Sequence, residues 1–524
     1  MPWSKDTSDI SSTPIIDTTI VSTPLKDTTP NTQENPKPTS IQDSVVTKQV
    51  IKTKPENVWT RITDGYALNK INNKRIDREY NWYKKHPKYF ERIEKRAKPY
   101  LYYILSEAEK RQMPTEMVLL PIVESAFQPF AYSSGRASGL WQFIPSTGRM
   151  YGLKQNWWYD GRRDVLTSTK AALDYLSTLA KRFDGDWELA LASYNAGAGN
   201  VRKAIRKNKR KNLPTDYWSL NLPKETQTYI PRLLAISKII LNAEKLGIQL
   251  QDIPNEIPFS VVNTGGQIDL AKAAEMADIS LDDIYQLNPA YNRWATDPDG
   301  PHRLVIPKHS KQQFETKLAR LSKKDRVQWS RYKIKNGDTL GVIAKKHNTT
   351  IKVVKNVNKM RNSRIRAGKY LLIPISSKDP VAYRLSATQR LSKKQNTKRT
   401  GNRIDYTVRP GDNLWDIAQI YKTSHRKIAA WNGVSPDDTL RPGQKLVLWI
   451  KAKEAIPSLA SNAHLPSNGI SNINYTIRKG DSLSHIADKF NVTINDLKNW
   501  NRLSGRYLQP GQKLKLKVNI TEQL

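Results

Sequence analysis

The sequence predicts a multidomain α+β chain, with an all-helical domain followed by small βααβ modules. Three observations carry that expectation. The chain has 524 residues, whereas single cores rarely grow past roughly 250–300 residues. Apolar residues recur at helical spacing through the first half, with no convincing strand pattern between them. Near the C-terminus one block occurs three times, opening at Tyr332, Tyr406 and Tyr475 and running into Gly337-Asp338, Gly411-Asp412 and Gly480-Asp481.

Taken in order, residues 1–54 are rich in Thr, Ser, Pro, Asp and Lys and read as disordered. Residues 55–245 form the helical domain. Within it, Ala172, Tyr175, Leu176, Leu179 and Phe183 mark one helical face behind Thr167 and Ser168, which are expected to serve as N-caps. Residues 246–310 read as a diverged fourth module, with strands at 259–262 and 304–306 and helices at 268–276 and 281–287. Its Leu287-Asn288 falls where later copies have Trp431-Asn432 and Trp500-Asn501. The clear copies occupy 331–375, 405–450 and 474–518, separated by a basic linker (376–404) and a second polar linker (451–473). From first Gly to last they measure 31, 32 and 31 residues (337→368, 411→443, 480→511). Three copies of one small unit imply a binding array, so the chemistry belongs upstream.

Composition removes several classes of function. With no Cys there are no disulfides, thiol nucleophiles, thiolate metal sites or lipid attachment points. The seven His are scattered and form no H-E-x-x-H pair. No run of 18 apolar residues is present, and Met1-Pro-Trp-Ser-Lys-Asp6 lacks the apolar core of a signal peptide. The net charge of +38 calls for a polyanionic neighbourhood. The Lys and Arg concentrate in linkers (310–333 and 376–403), however, and no specific nucleic-acid motif accompanies them.

In each repeat the strand from the Tyr leads through Gly-Asp into the first helix, with Asp338, Asp412 and Asp481 expected to cap it. Ile343, Ile417 and Ile486 face inward, and Pro442-Gly443 and Pro510-Gly511 turn into the last strand. Binding falls on the loop after Gly-Asp and on the loop before the last strand. The Tyr-x-[Val/Ile]-x-x-Gly-Asp-[Ser/Thr/Asn]-Leu opening resembles the LysM module, which implies N-acetylglucosamine-containing glycans as partner. The first copy departs from the others at Val357 and Ala367, where they carry Trp and Pro.

One carboxylate stands out in the helical domain. Glu124 follows the apolar stretch Met117-Val-Leu-Leu-Pro-Ile-Val123 and sits near the end of its helix, before Pro129. Apolar surroundings and the negative end of a helix dipole both raise a carboxyl pKa, which suits an acid that protonates a glycosidic oxygen. The plainer reading is a helix-terminal Glu facing water. Three further blocks favour the acid: Ser133-Ser-Gly-Arg-Ala-Ser-Gly139-Leu-Trp141-Gln142, Ala192-Ser-Tyr194-Asn195-Ala-Gly197 and Glu225-Thr226-Gln-Thr-Tyr229. Amides and phenols around one acid suit a sugar site.

Together these blocks resemble the family 1 lytic transglycosylases. Trp157-Trp-Tyr-Asp-Gly-Arg-Arg-Asp164, Gly185-Asp-Trp187, Leu213-Pro-Thr-Asp-Tyr217 and Asn292-Arg-Trp-Ala-Thr-Asp-Pro-Asp-Gly-Pro-His302 are similar to their D-type branch. The resemblance implies a goose-lysozyme-like helical fold and peptidoglycan as substrate, with neither metal nor cofactor. It further implies Glu124 as sole catalytic acid and base, Ser133, Trp141 and Gln142 at the substrate, and Tyr194, Asn195 and Tyr229 orienting Glu124 or an acetamido group, while a plain core role stays open for Trp141 and Tyr194. It places the protein in the periplasm or cell envelope, at the outer membrane in many members, although nothing visible here encodes a membrane tether.

Three rivals stay open at this level, one of them a nucleic-acid-binding protein supported by charge alone. A hydrolytic muramidase would need a second carboxylate, for which Asp160, Asp164, Asp184 and Asp186 are candidates that fit loop and cap roles equally well. A non-catalytic wall-binding scaffold would have no use for the Glu124 constellation. Serine-hydrolase chemistry is poorly served, because His86 is the only His before residue 302 and Gly135-x-x-Ser138-Gly is not a nucleophile elbow.

Overall fold

The computed structural model describes residues 57–450 apart from 69 and 70, and 470–519 apart from 478–480, 491, 502, 504–507 and 510. The N-terminal segment 1–54, most of the linker 451–473, and Gly480 and Pro510 of the third repeat lie outside the described residues.

The helical domain consists of α1 (Val58–Asp64), α2 (Lys74–Lys84), α3 (Lys88–Ala97), α4 (Leu101–Glu109), α5 (Leu120–Ser125), α6 (Pro145–Met150), α7 (Val165–Arg182), α8 (Trp187–Ala196), α9 (Ala198–Lys209) and α10 (Lys224–Leu241). Its axis is α10, whose Thr226, Tyr229, Ile230, Leu233, Leu234, Ser237 and Ile240 are buried. That stripe repeats every three or four residues, so one helix face meets α2, α5 and α8. Each Leu or Ile in it contributes roughly 1.5–3 kcal/mol through removal from water.

The expected helix at 166–183 is α7, but its cap differs. Asp164, in extended conformation, accepts from the Thr167 amide, and Thr167 and Ser168 lie inside the first turn. The Asp side chain, one residue before the helix, reaches a free amide that residues already in helical conformation cannot cap.

The diverged module comprises β1 (Phe259–Asn263), α11 (Leu270–Ala277), α12 (Leu281–Leu287) and β2 (Arg303–Pro307). It continues into α13 (Lys311–Arg320), where Phe314 and Leu318 are buried against it, so the unit extends past residue 310. The first repeat follows as β3 (Gln328–Lys333), α14 (Leu340–Lys346), α15 (Ile351–Val357) and β4 (Tyr370–Ile375). After α16 (Ala387–Asn396), the second repeat comprises β5 (Asn402–Thr407), α17 (Leu414–Ile420), α18 (His425–Asn432) and β6 (Lys445–Ile450). The third comprises β7 (Ile470–Thr476), α19 (Leu483–Phe490), α20 (Ile494–Asn501) and β8 (Lys513–Asn519). In every module the two strands pair antiparallel, with Tyr332, Tyr406 and Tyr475 opposite Leu371, Leu446 and Leu514.

In the first two repeats the recurring Asp does not cap the helix. Its carboxylate turns back to accept from the strand phenol: Tyr332 to Asp338 at 2.9 Å, Tyr406 to Asp412 at 2.6 Å and Tyr475 to Asp481 at 2.7 Å. Asp338 and Asp412 also accept from the amides of Lys335 and Arg409. In the first two repeats the next residue caps instead, Thr339 for α14 and Asn413 for α17. The recurring Asn is a clamp. Asn432 donates to the Ile428 and Val447 carbonyls and accepts from the Val447 amide, at 2.7–2.9 Å. Asn288, Asn358 and Asn501 do the same with Val305, Leu372 and Lys515. One amide thus locks the second helix to the last strand in a unit whose core is small.

The stretch 376–404 departs furthest from expectation. Rather than a solvated basic linker, it is bound to the domains before it. The buried Tyr383 donates its hydroxyl to Asp269, Ala387 donates its amide to the Asn292 carbonyl, and Arg390 lies over the Phe130 ring at 4.3 Å. Guanidinium–aromatic stacking and interleaved apolar residues allow a Lys/Arg-rich stretch to pack.

Replacing Asn432 with Ala removes three hydrogen bonds from inside the second repeat. Hydrogen exchange on the whole chain should show the Val447 amide losing protection by roughly 30- to 100-fold, equivalent to about 2–3 kcal/mol, with α10 unchanged. Unaltered protection at Val447 would mean the clamp adds nothing.

Candidate active site

Glu124 owes its position to a short helix that ends under constraint. α5 carries Pro121 in its first turn and stops at Ala126, whose φ of 49° is left-handed; Phe127 follows at 53°. Left-handed non-Gly residues persist only where packing enforces them. Here Phe127 is fully buried and the Ser125 hydroxyl donates to the Leu140 carbonyl at 2.9 Å. The chain therefore turns sharply just after the acid, and the Glu124 side chain lines a cleft of about 450 Å³.

Ser133, Gln142, Tyr194, Asn195 and Tyr229 share that lining with Phe143, Tyr175, Glu225 and Arg232. The Tyr229 hydroxyl donates to the Glu124 carboxyl at 2.5 Å. Tyr194 donates to the Trp141 carbonyl at 2.8 Å, and Asn195 accepts from the Thr226 hydroxyl at 2.7 Å. The Ser133 hydroxyl accepts from the Ala137 amide, and Gln142, itself at φ 47°, donates to the Gly139 carbonyl. The four sequence blocks thus converge on one cleft although 105 residues separate Glu124 from Tyr229.

Trp141 does not reach it. Its ring is fully buried, and its indole N–H donates to the Thr169 hydroxyl at 3.0 Å. The residue expected at the substrate is a core aromatic whose backbone carbonyl holds Tyr194. The partner that explains this, Thr169 on α7, is 28 residues away and invisible to local pattern.

Burial pushes the Glu124 carboxyl from 4.5 to about 7; the Tyr229 hydrogen bond opposes the shift and the nearby Glu225 charge adds to it. Burial, rather than the dipole of so short a helix, is the leading cause. A raised pKa alone would not single Glu124 out, since Glu188 also rises to about 7, but Glu188 does not line the cleft. Glu225 was overlooked as a site residue. Its signal is the spacing of four to Tyr229, which places both on one face of α10.

None of Asp160, Asp164, Asp184 and Asp186 lines the cleft. Asp160 pairs with Arg162 and Arg163, Asp164 caps α7 and pairs with Arg303, Asp186 caps α8, and Asp184 takes a left-handed turn at φ 54°. The Arg162 guanidinium donates onward to the Arg136 and Phe143 carbonyls, pinning both ends of the loop that carries Gln142. Gly139 in that loop is obligatory: φ is 83°, and a Cβ would sit 2.2 Å from the Arg162 carbonyl oxygen.

Comparison with known proteins bears on most of the chain. Residues 102–215 match the transglycosylase SLT domain, 259–323 match the LysM-like domain of lytic transglycosylase MltD, and 332–374, 406–449 and 475–517 match the LysM domain. Membrane-bound lytic murein transglycosylase D of Escherichia coli is 37% identical over 405 residues, covering 75% of this chain and 86% of that protein. The chain belongs to the lytic murein transglycosylase D family. The N-acetylmuramoyl-L-alanine amidase sle1 of Staphylococcus saprophyticus is 35% identical over 185 residues, 35% of this chain and 50% of its own. A solved lytic transglycosylase Slt from Pseudomonas aeruginosa is 27% identical, covering 29% of this chain and 25% of that one, with a TM-score of 0.23. The two motifs that carried the D-type resemblance, 157–164 and 292–302, meet in space in this lytic transglycosylase. Arg163 donates to the Asn292 side chain at 2.6 Å, and the Asn292 amide donates to the Trp158 carbonyl at 2.7 Å.

A carboxyl held at about 7 when folded, against 4.5 when exposed, has its proton bound more tightly by the native state. Its contribution to stability is complete below about pH 4.5 and is lost as pH rises through 7. Thermal unfolding of the helical domain should therefore show Glu124→Gln gaining on the unsubstituted protein by about 3 kcal/mol between roughly pH 4 and 8. A pH-independent difference would mean that the carboxyl titrates normally.

Proposed function

We propose that this lytic transglycosylase cleaves the β-1,4 bond between N-acetylmuramic acid and N-acetylglucosamine in peptidoglycan, with Glu124 as both acid and base. The carrying observation is a carboxyl buried in a saccharide-sized cleft, protonated near neutral pH and held by one phenol. Glu124 gives its proton to the glycosidic oxygen as the C1–O bond breaks. As carboxylate it takes the proton from the muramoyl C6 hydroxyl while O6 closes onto C1, forming a 1,6-anhydro ring. One bond replaces another, and no water enters. Tyr229 stabilises the carboxylate stage through its hydrogen bond. Gln142, Asn195 and Ser133 present amides and a hydroxyl to the sugar's polar groups.

The LysM modules retain the enzyme on the polymer, since each later contact on a tethered array is intramolecular. The substrate belongs to the cell wall, so the envelope is the working compartment, as the lytic murein transglycosylase D family suggests. Among the described residues no helix is long and apolar enough to cross a membrane.

Mass spectrometry of the products from purified peptidoglycan tests the reaction. Muropeptides lighter by one water than reducing-end fragments are expected, with turnover reduced roughly 10²–10⁴-fold in Glu124→Gln; reducing ends would mean hydrolysis.

The pH profile tests the roles. The alkaline limb should follow Glu124 near 7. Tyr229→Phe removes a bond that favours the anion, so the limb should move to higher pH as turnover falls. Glu225→Gln removes a charge that disfavours the anion, so it should move to lower pH with activity retained. Abolished activity in Glu225→Gln would instead make Glu225 a water-activating base.

A further inference from the structure

The second repeat sits beside the catalytic cleft rather than standing free of it. Arg136, on the loop that frames the cleft, pairs with Asp438 at 2.5 Å and donates to the Asp437 carbonyl at 3.0 Å. Ser435 donates its hydroxyl to the Ser134 carbonyl at 2.6 Å. These three bonds join residues about three hundred positions apart. All arise from 433–444, the loop before β6 and one of two regions that the sequence marks for binding. Behind them, Gln395 of α16 donates to the Asn432 side chain at 2.9 Å, so the stretch 376–404 braces the same module.

Between the loop and the module runs a second groove of about 580 Å³. Ser133 lines both it and the catalytic cleft, so the two spaces meet there. The groove has a distinct character. Tyr132 offers an exposed ring, the kind of surface on which sugar rings stack. Lys394, His425 and Arg426 lie along one side, and Asp437 is the sole carboxylate in the lining. Such a wall favours a ligand that is both saccharide and acid.

We propose that this groove is a second binding site for the peptidoglycan strand, continuing the catalytic cleft: a further sugar ring lies on Tyr132, and carboxylates of the peptide stems meet Lys394, Arg426 and His425. The second LysM module thereby becomes part of the active site and selects long, stem-bearing strands, not merely an anchor. The inference rests on the substrate class proposed above and adds where and how that substrate is extended.

The test compares kcat/KM for solubilised, stem-bearing glycan strands with that for a short, peptide-free tetrasaccharide. The strand-to-tetrasaccharide ratio should fall about tenfold in Lys394→Glu/Arg426→Glu, and comparably in Tyr132→Ala. Arg136→Asp, which repels Asp438, should lower the ratio too, and the charge-swapped Arg136→Asp/Asp438→Arg pair should restore it to within about twofold of the unsubstituted chain. Surface charge changes of this kind leave the core intact, so the swap also controls for misfolding. Ratios unchanged within about twofold in every variant would overturn the proposal. The ratio is read from total product release of either chemistry, so it decides the groove even if the products carry reducing ends; that outcome would overturn the reaction proposed for Glu124 alone.

Discussion

The buried charge cluster at 160–164 holds the catalytic region together. Asp160 lies between Arg162 and Arg163 with almost no exposure. Two buried guanidiniums beside a single carboxylate are costly, and their other donors offset part of that cost, although the Arg163 Nε is buried without a partner. Arg162 spends its own on the Arg136 and Phe143 carbonyls of the cleft loop, and Arg163 spends one on Asn292 of the diverged module. The neighbouring Asp164 binds Arg303 and the Tyr159 hydroxyl. One five-residue stretch therefore fixes the cleft wall on one side and the first module on the other.

From that clasp the chemistry follows. A loop pinned at both ends can carry a left-handed Gln142 and a Gly139 pressed against Arg162, and it sets Trp141 in the core so that its carbonyl receives Tyr194. Across the cleft, α5 ends in a forced turn that leaves Glu124 facing a lining of phenols and amides. Removal from water keeps the Glu124 proton near neutral pH while the Tyr229 hydrogen bond favours the anion, and the acid–base role proposed for Glu124 draws on both. Active-site strain at Ala126, Phe127 and Gln142 is offset by burial in the surrounding domain.

The three LysM repeats share one solution to a small-core problem. A phenol–carboxylate bond closes the first turn, a side-chain amide ties the second helix to the last strand, and one Ile from the first helix fills the centre. These polar locks account for the most regular features of the repeat, its Tyr, Asp and Asn, which leaves the loops to vary. That freedom is what allows the second module to dock on the catalytic loop through Ser435 and Asp438.

Much was legible beforehand because it is periodic or local. Helical spacing marked α7 and the inward Ile of each module, Gly-Asp and Pro-Gly marked the turns, and an apolar run before Glu124 marked a carboxyl with a raised pKa. Caps differ from expectation at Thr167, Asp338 and Asp412 because several polar residues compete for the same amides, and backbone conformation chooses among them. Trp141 lies in the core and Glu225 in the cleft lining for a related reason. Whether a side chain faces a core or a cleft depends on partners tens of residues away. The sequence by itself determined which groups could do chemistry and which units would fold, since composition and spacing act over a few residues. Only the tertiary structure decided which of those groups share a cleft and brought the stretch 376–404 and the second repeat up beside it, because burial and long-range pairing are properties of the packed chain.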